Sequence, residues 1–193
     1  MSPQPRILAF AGSARRESLN QALATAAARA VELAGLPCTL ISLRDYPLPI
    51  YDGDLEAAEG LPPNAVQLKA LIADHQGLLI ASPEYNSSIS PLLKNAIDWA
   101  SRSGGAPDIS PYQHKVAALV SASPGRLGGL RGLVTVRSIL SNIGVTVIPE
   151  QLAISQAHNA FDAQGNLANA ADNGRLRGVA ESLVRTVSRL AAA

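Results

Sequence analysis

The chain has 193 residues, with 16 Lys and Arg against 15 Asp and Glu, for a formal net charge of +1. At 47% hydrophobic and 16% charged residues it is not a disordered chain, and the near-neutral balance gives no sign of a nucleic-acid groove or a polybasic membrane patch. One cysteine, Cys38, excludes an internal disulfide framework and a thiolate metal cluster within one chain, and reads as a small buried hydrophobe.

The length suits a single domain over residues 1–193, able to bury about 70% of its unfolded surface without covalent staples. No segment reaches the ~18 apolar residues of a transmembrane helix. The run from Ile7 to Ala11 is shorter than a signal-peptide core. A cytoplasmic protein is therefore expected.

The elements alternate along the chain. Residues 6–11 are a short apolar run closed by Gly12-Ser13, a first strand. Residues 20–34 carry Leu23, Ala27, Ala30, Val31 and Ala34 on one face, a first helix closed by Gly35. Residues 38–43 read as a second strand. A proline-rich loop of about 20 residues follows, long enough in a compact domain to suggest a function. Residues 64–74 form a second helix with Asn64 as N-cap, and residues 77–81 a third strand. A third helix spans 91–101, with Ser90 as N-cap and Pro91 in its first turn. A fourth strand spans 115–121, a fourth helix 130–143 and a fifth strand 145–148. The last helix spans 173–192, with Leu176, Val179, Leu183, Val187 and Leu190 in one stripe.

Strands alternating with helices predict an α/β fold, a parallel sheet covered on both faces. The strands are continuous apolar runs, as buried parallel strands are. Ligands of such sheets sit at the carboxyl ends of the strands, where the winding reverses. The loops after the first, third and fourth strands are the ones to read for function.

The first loop, GSARRESLN from Gly12 to Asn20, surrounds a helix N-terminus with Ser13, Ser18, Asn20 and two arginines. Unpaired N–H groups, a partial positive charge and these donors suit a phosphate; the alternative is an N-cap by Ser18 with solvated arginines. Neither G-x-G-x-x-G nor a Walker loop is present. The second loop, SPEYNSSIS from Ser82, is dense in hydrogen-bonding groups, and Tyr85 offers a flat face to a planar ligand. The third, SASPGRLGG from Ser121, has three glycines that let backbone approach a ligand.

These three stretches, with SPEYNSSISPLLKNAIDWASR and SASPGRLGGLRG read in full, resemble the NADPH-dependent FMN reductase family over nearly the whole chain and in the correct order. The resemblance implies a flavodoxin-like, doubly wound five-stranded sheet of order 2-1-3-4-5. It implies bound FMN, with NADPH or NADH as donor. By position, Ser13, Arg15, Ser18, Leu19 and Asn20 would hold the phosphate end. Pro83, Glu84, Tyr85 and Asn86 would line the ring. Ser123 and the backbone around Gly125 would reach it from the third loop. Arg131 matches an arginine of some chromate- and quinone-reducing members. The resemblance also implies a homodimer or homotetramer with the flavin near the subunit boundary.

The chemistry expected is the flavin's own, so no catalytic side chain and no metal are expected. Backbone N–H groups of the third loop would stabilise charge on the ring. Glu84 could bind the ring or could hold its own loop and the neighbouring subunit. Arg16, Arg126 and Arg131 could hold the 2′-phosphate of NADPH or could serve solubility. His75, His114 and His158 read as structural or surface residues, and Trp99 as core. The leading reading is an oxidoreductase passing electrons to a quinone, azo compound, chromate or free flavin by ping-pong kinetics. The alternative is a flavodoxin-type carrier, against which the charge of +1 argues.

Overall fold

The structure, a computed structural model, describes residues 4–192. Strand β1 (Ile7–Ala11) leads into helix α1 (Leu19–Leu33) and returns as β2 (Cys38–Leu40). Helices α2 (Gly53–Glu59) and α3 (Pro63–Asp74) precede β3 (Gly77–Ala81). A hairpin, β4 (Glu84–Tyr85) and β5 (Ser88–Ile89), precedes α4 (Pro91–Ala100), and a second, β6 (Arg102–Ser103) and β7 (Ala106–Pro107), follows it. The chain then runs through β8 (Val116–Ala122), α5 (Leu130–Asn142), β9 (Thr146–Ile154) and α6 (Ala170–Ala191).

The main sheet has five parallel strands in the order β2-β1-β3-β8-β9, the flavodoxin-like order expected once the two small hairpins are set aside. Side chains alternate across it. Ile7, Ala9 and Ala11 of β1 pack with α1 and α6 on one face, while Leu8 and Phe10 pack with α3, α4 and α5 on the other. The alanines of α1, including Ala24, Ala27 and Ala30, present almost no bulk, so the helix lies close on the sheet. The winding reverses between β1 and β3, and the loops that leave these strands and β8 meet at one end.

Four expected boundaries are corrected. The second strand stops at Leu40, because residues 43–45 turn into a 3-10 helix. The fifth strand does not stop at Ile148. It runs to Ile154 through a bulge, where Ala117 pairs with Val147 but Leu119 pairs with Gln151. Pro149 is tolerated because β9 is an edge strand and the bulge leaves residues there unpaired. Asn64 is not the N-cap of α3: Pro62 occupies that position, and Asn64 Nδ2 donates to Pro47 O at 2.8 Å. The last helix begins at Ala170, capped by Asn169, whose Oδ1 accepts from the N–H of Ala171 and Asp172.

The long loop is also more ordered than expected. It contains α2, whose only buried residue is an acid, Glu56. Its Oε2 accepts from Tyr51 OH at 3.0 Å and Arg102 Nε at 2.8 Å, and its Oε1 from the Gly105 N–H at 2.8 Å. Tyr51 meets Trp99 edge-on at 5.1 Å, and Trp99, fully buried as expected, donates to Pro49 O at 2.8 Å. The excursion is thus fastened to α4 and the β6–β7 hairpin.

His75 is structural, as expected. Its Nδ1 donates to Leu71 O at 2.7 Å, which leaves Nε2 to accept from Thr39 Oγ1 at 2.9 Å. Cys38 is half-buried, and burial, with Glu32 nearby, pushes its thiol up to about 12, so it is no nucleophile.

Candidate active site

The three loops enclose one cleft at the carboxyl end of the sheet. Ser13, Arg15, Ser18, Leu19 and Asn20 wall it from the first loop, Pro83, Glu84 and Tyr85 from the second, and Ala122, Ser123 and Pro124 from the third. The enclosed part of the cleft is small, about 80 Å³, below the ~300–1,000 Å³ of drug-sized ligand sites, so a larger ligand would lie mostly in its open mouth.

At the phosphate end, Ser18 is the N-cap of α1 and its Oγ accepts from the Gln21 N–H at 3.1 Å. That leaves the Leu19 and Asn20 N–H groups without a partner among the described residues. The first turn of α1 has no acidic residue. Arg15 and Arg16 are exposed and make no ion pair among the described residues. Open N–H groups at a positive helix end, beside uncompensated guanidinium, are the donor set a phosphate needs. The residues present fit the phosphate of FMN.

Asn20 does something the sequence did not show. Its side chain is buried, and Nδ2 donates to Ala122 O at 2.8 Å while Oδ1 accepts from the Ala122 N–H at 3.0 Å. The amide is a clip between the first and third loops. Its offering to a phosphate is its backbone N–H. Ala122 and Pro124 were not singled out from the sequence; a backbone contact by an alanine leaves no mark there.

At the ring end, Pro83 breaks β3 and the hairpin β4–β5 turns through Asn86 (φ 51°) and Ser87 (φ 66°). Two successive residues of positive φ make a type I′ turn, which matches the twist of the hairpin. The turn holds Tyr85 half-exposed at the cleft mouth. Asn86 lies at the turn tip and Gly125 beyond Pro124, with its N–H on Ser123 Oγ at 3.1 Å; neither borders the cleft.

Glu84 is almost wholly buried, and its carboxylate is turned onto α5. Oε2 accepts from the backbone N–H of Arg131 at 2.9 Å and of Gly132 at 3.1 Å. Oε1 accepts from Arg131 Nε at 2.8 Å and forms an ion pair with Nη2 at 2.6 Å. Burial would raise its pKa, but the Gly132 N–H and the Arg131 guanidinium outweigh it and hold the carboxyl below the usual range. Of the two readings of Glu84, holding its loop is the one its carboxylate performs. Arg131 is thereby engaged, whereas Arg126 is exposed and makes no ion pair among the described residues. Arg16 lines a separate hollow on α1 with Glu17, Gln21 and Thr25. Arg131 is thus committed to Glu84, and Arg16 borders a different hollow from the cleft.

The chain is similar to known proteins over most of its length. Residues 5–159 match the NADPH-dependent FMN reductase family. The NAD(P)H-dependent FMN reductase of Pseudomonas aeruginosa is 40% identical over 169 residues, covering 86% of each chain. The NADPH:quinone oxidoreductase of Arabidopsis thaliana is 35% identical over 195 residues, covering 98% of this chain and 95% of its own. Among solved structures, the flavoenzyme NAD(P)H:(acceptor) oxidoreductase FerB of Paracoccus denitrificans superposes with a TM-score of 0.82 at 27% identity, covering 96% of this chain and 98% of that one. No helix among the described residues is long and apolar enough to cross a membrane. The family match over most of the chain and the likeness to these relatives show that the protein belongs to the NADPH-dependent FMN reductase family, an FMN-dependent oxidoreductase that draws on NAD(P)H.

Proposed function

We propose that the protein uses NAD(P)H and bound FMN to reduce a small quinone-type acceptor, with donor and acceptor occupying one open side of the cleft in turn. The observation that carries this reading is the arrangement of the cleft: an uncompensated cationic helix end and an exposed aromatic face, Tyr85, border the same space. FMN, when bound, supplies hydride acceptance and onward electron transfer. The chain's residues bind and orient. The Leu19 and Asn20 N–H groups, Ser13, Ser18 and Arg15 hold the phosphate. Pro83 and Tyr85 set the plane of the ring, with Ser123 at its other edge, while Asn86 shapes the turn that carries Tyr85 and Gly125 follows Pro124 outside the cleft wall. No side chain is asked to carry a proton.

Beyond Tyr85 a second, mainly apolar hollow opens, walled by Gly12, Ala14, Pro91 and Leu92. Such a wall suits a flat acceptor, which supports quinones, the class named for the Arabidopsis relative. Azo compounds, chromate and free flavin belong to the same proposal as further acceptors. Arg16 and Arg126 are free to favour NADPH over NADH. We also take the enzyme to be a cytoplasmic homodimer or homotetramer. Exposed Leu127, Leu130 and Val134, on and just before α5, support self-association.

Initial rates with NADPH and benzoquinone varied together test the shared site. Parallel double-reciprocal lines are expected. Intersecting lines would show that both substrates are bound at once and would overturn it.

A further inference from the structure

Helices α1 and α5 both open on the cleft end of the sheet, α1 with its Ser18 cap already in use and α5 with no side chain at its N-cap. They treat anions differently. The first turn of α1 has no acidic residue, and exposed Glu17 precedes its N-cap. The N-cap of α5 is Gly129 (φ 91°), which has no side chain to offer, and the N–H groups of Arg131 and Gly132 are taken by Glu84, a residue 47 and 48 positions away. The close approach is built in. A Cβ on Gly132 would lie 3.3 Å from Glu84 Cβ and 3.2 Å from Ser88 O, and one on Gly129 would collide with Ser121 Oγ. The β4–β5 hairpin therefore rests directly on the first turn of α5, and Glu84 is the bolt.

Glu84 also borders the cleft, with its side chain only 8% exposed, while the Arg131 side chain it holds is 57% exposed. One carboxylate thus meets two positive partners, a helix N-terminus and a guanidinium, through separate oxygens. Oε2 serves the helix and Oε1 the arginine. Resting on the FMN reading above, we propose that Glu84 is a positioning residue that cancels the charge of Arg131, which sits behind the cleft wall that Glu84 forms. The cleft is then left with one cationic pole, at α1. On this account the Glu84–Arg131 pair sets how strongly the protein prefers reduced over oxidised FMN.

The two oxygens allow the roles to be separated. Glu84→Gln keeps one oxygen for the Arg131 and Gly132 N–H groups but turns an amide N–H₂ toward the guanidinium, which is a donor facing donors. The cap survives and Arg131 is released as an uncompensated cation. Arg131→Gln keeps its own backbone N–H on Glu84 and leaves the carboxylate balanced by the helix end alone. Affinities for oxidised and for reduced FMN, measured anaerobically, give a ratio for each protein. The ratio should move several-fold toward reduced FMN in Glu84→Gln and several-fold toward oxidised FMN in Arg131→Gln. The double variant should return near the parent. A tenfold change in the ratio equals about 30 mV in the potential of this two-electron couple.

Hydrogen exchange on the flavin-free proteins reads the cap separately. The Arg131 and Gly132 amides should stay protected in Glu84→Gln and lose protection in Glu84→Ala. Single variants that leave the ratio unchanged, or shift it in the same direction, would overturn charge cancellation while the FMN reading stands. Failure of the parent protein to take up FMN at all would overturn that reading and this proposal with it.

Discussion

Asn20 and Ala122, 102 residues apart, are joined by two hydrogen bonds through one side-chain amide, at 2.8 and 3.0 Å. Asn20 is the second residue of α1 and Ala122 the last of β8, so the bond pair locks the first loop of the cleft to the third. Both backbone groups of Ala122 are buried. Asn20→Ala leaves them unpaired, and since each buried unsatisfied group costs roughly 1–3 kcal/mol, denaturant unfolding should show a loss of about 2–4 kcal/mol. A loss well below 1 kcal/mol would mean that the clip is dispensable.

Arg15 should matter for the cofactor and little for the fold. It is exposed and makes no ion pair among the described residues. Arg15→Ala should weaken FMN binding by about 1.5–3 kcal/mol, the range for a charge-assisted hydrogen bond. The flavin-free protein should melt where the parent does. Equal flavin affinity in a fluorescence titration would remove Arg15 from the phosphate site.

The turn at Asn86 and Ser87 holds two non-glycine residues at positive φ. Asparagine tolerates that region, serine less so. Ser87→Gly relieves strain of order 1–2 kcal/mol but adds unfolded-state entropy, for a net gain of about 0.5–1 kcal/mol. A melting temperature unchanged or lowered by Ser87→Gly would show that the serine side chain makes up for its backbone.

His75 makes stability depend on pH. Burial lowers its pKa from 6.5, and Arg6 and Lys115 add to this against the Leu71 carbonyl and Asp74, so the folded protein binds its proton less readily than the unfolded chain. The contribution of neutral His75 is complete above pH about 6.5 and is lost progressively as the pH falls below it. Urea midpoints should therefore drop between about pH 7 and 5, before carboxylates such as Asp108, held down to about 2 by Lys69 and Ser110, begin to matter. In His75→Gln that stretch of the curve should be flat. A slope identical to the parent's would assign the effect elsewhere.

The parts of this molecule that the sequence displays are those built by repetition. β1 and β3 are uninterrupted apolar runs, and the stripes of α1 and α6 recur at helical spacing, so the alternation of strands and helices follows from pattern, while the sheet order is implied only by the family resemblance. The loops that wall the cleft were legible for a different reason: glycine, proline and hydroxyl residues cluster where strands end. What stayed hidden rests on single long-range contacts. Helix α2 buries only Glu56, an acid whose partners Arg102 and Gly105 lie 46 and 49 residues on, so no apolar periodicity marks it. β9 continues past Pro149 because an edge strand with a bulge can absorb a proline. Asn20 and Glu84 look like ligand-binding residues in sequence because an amide and a carboxylate suit that task. Their side chains instead serve Ala122 and the N-terminus of α5, and only the folded geometry separates those uses.

The central claim is that this cleft holds FMN and passes hydride to it from NAD(P)H. The visible absorption spectrum of the purified protein supplied with FMN, recorded before and after NADPH is added without oxygen, tests it most directly. A protein-bound yellow chromophore that bleaches on addition is the predicted result. A protein that takes up no FMN, or a bound flavin that NADPH leaves yellow, would contradict it.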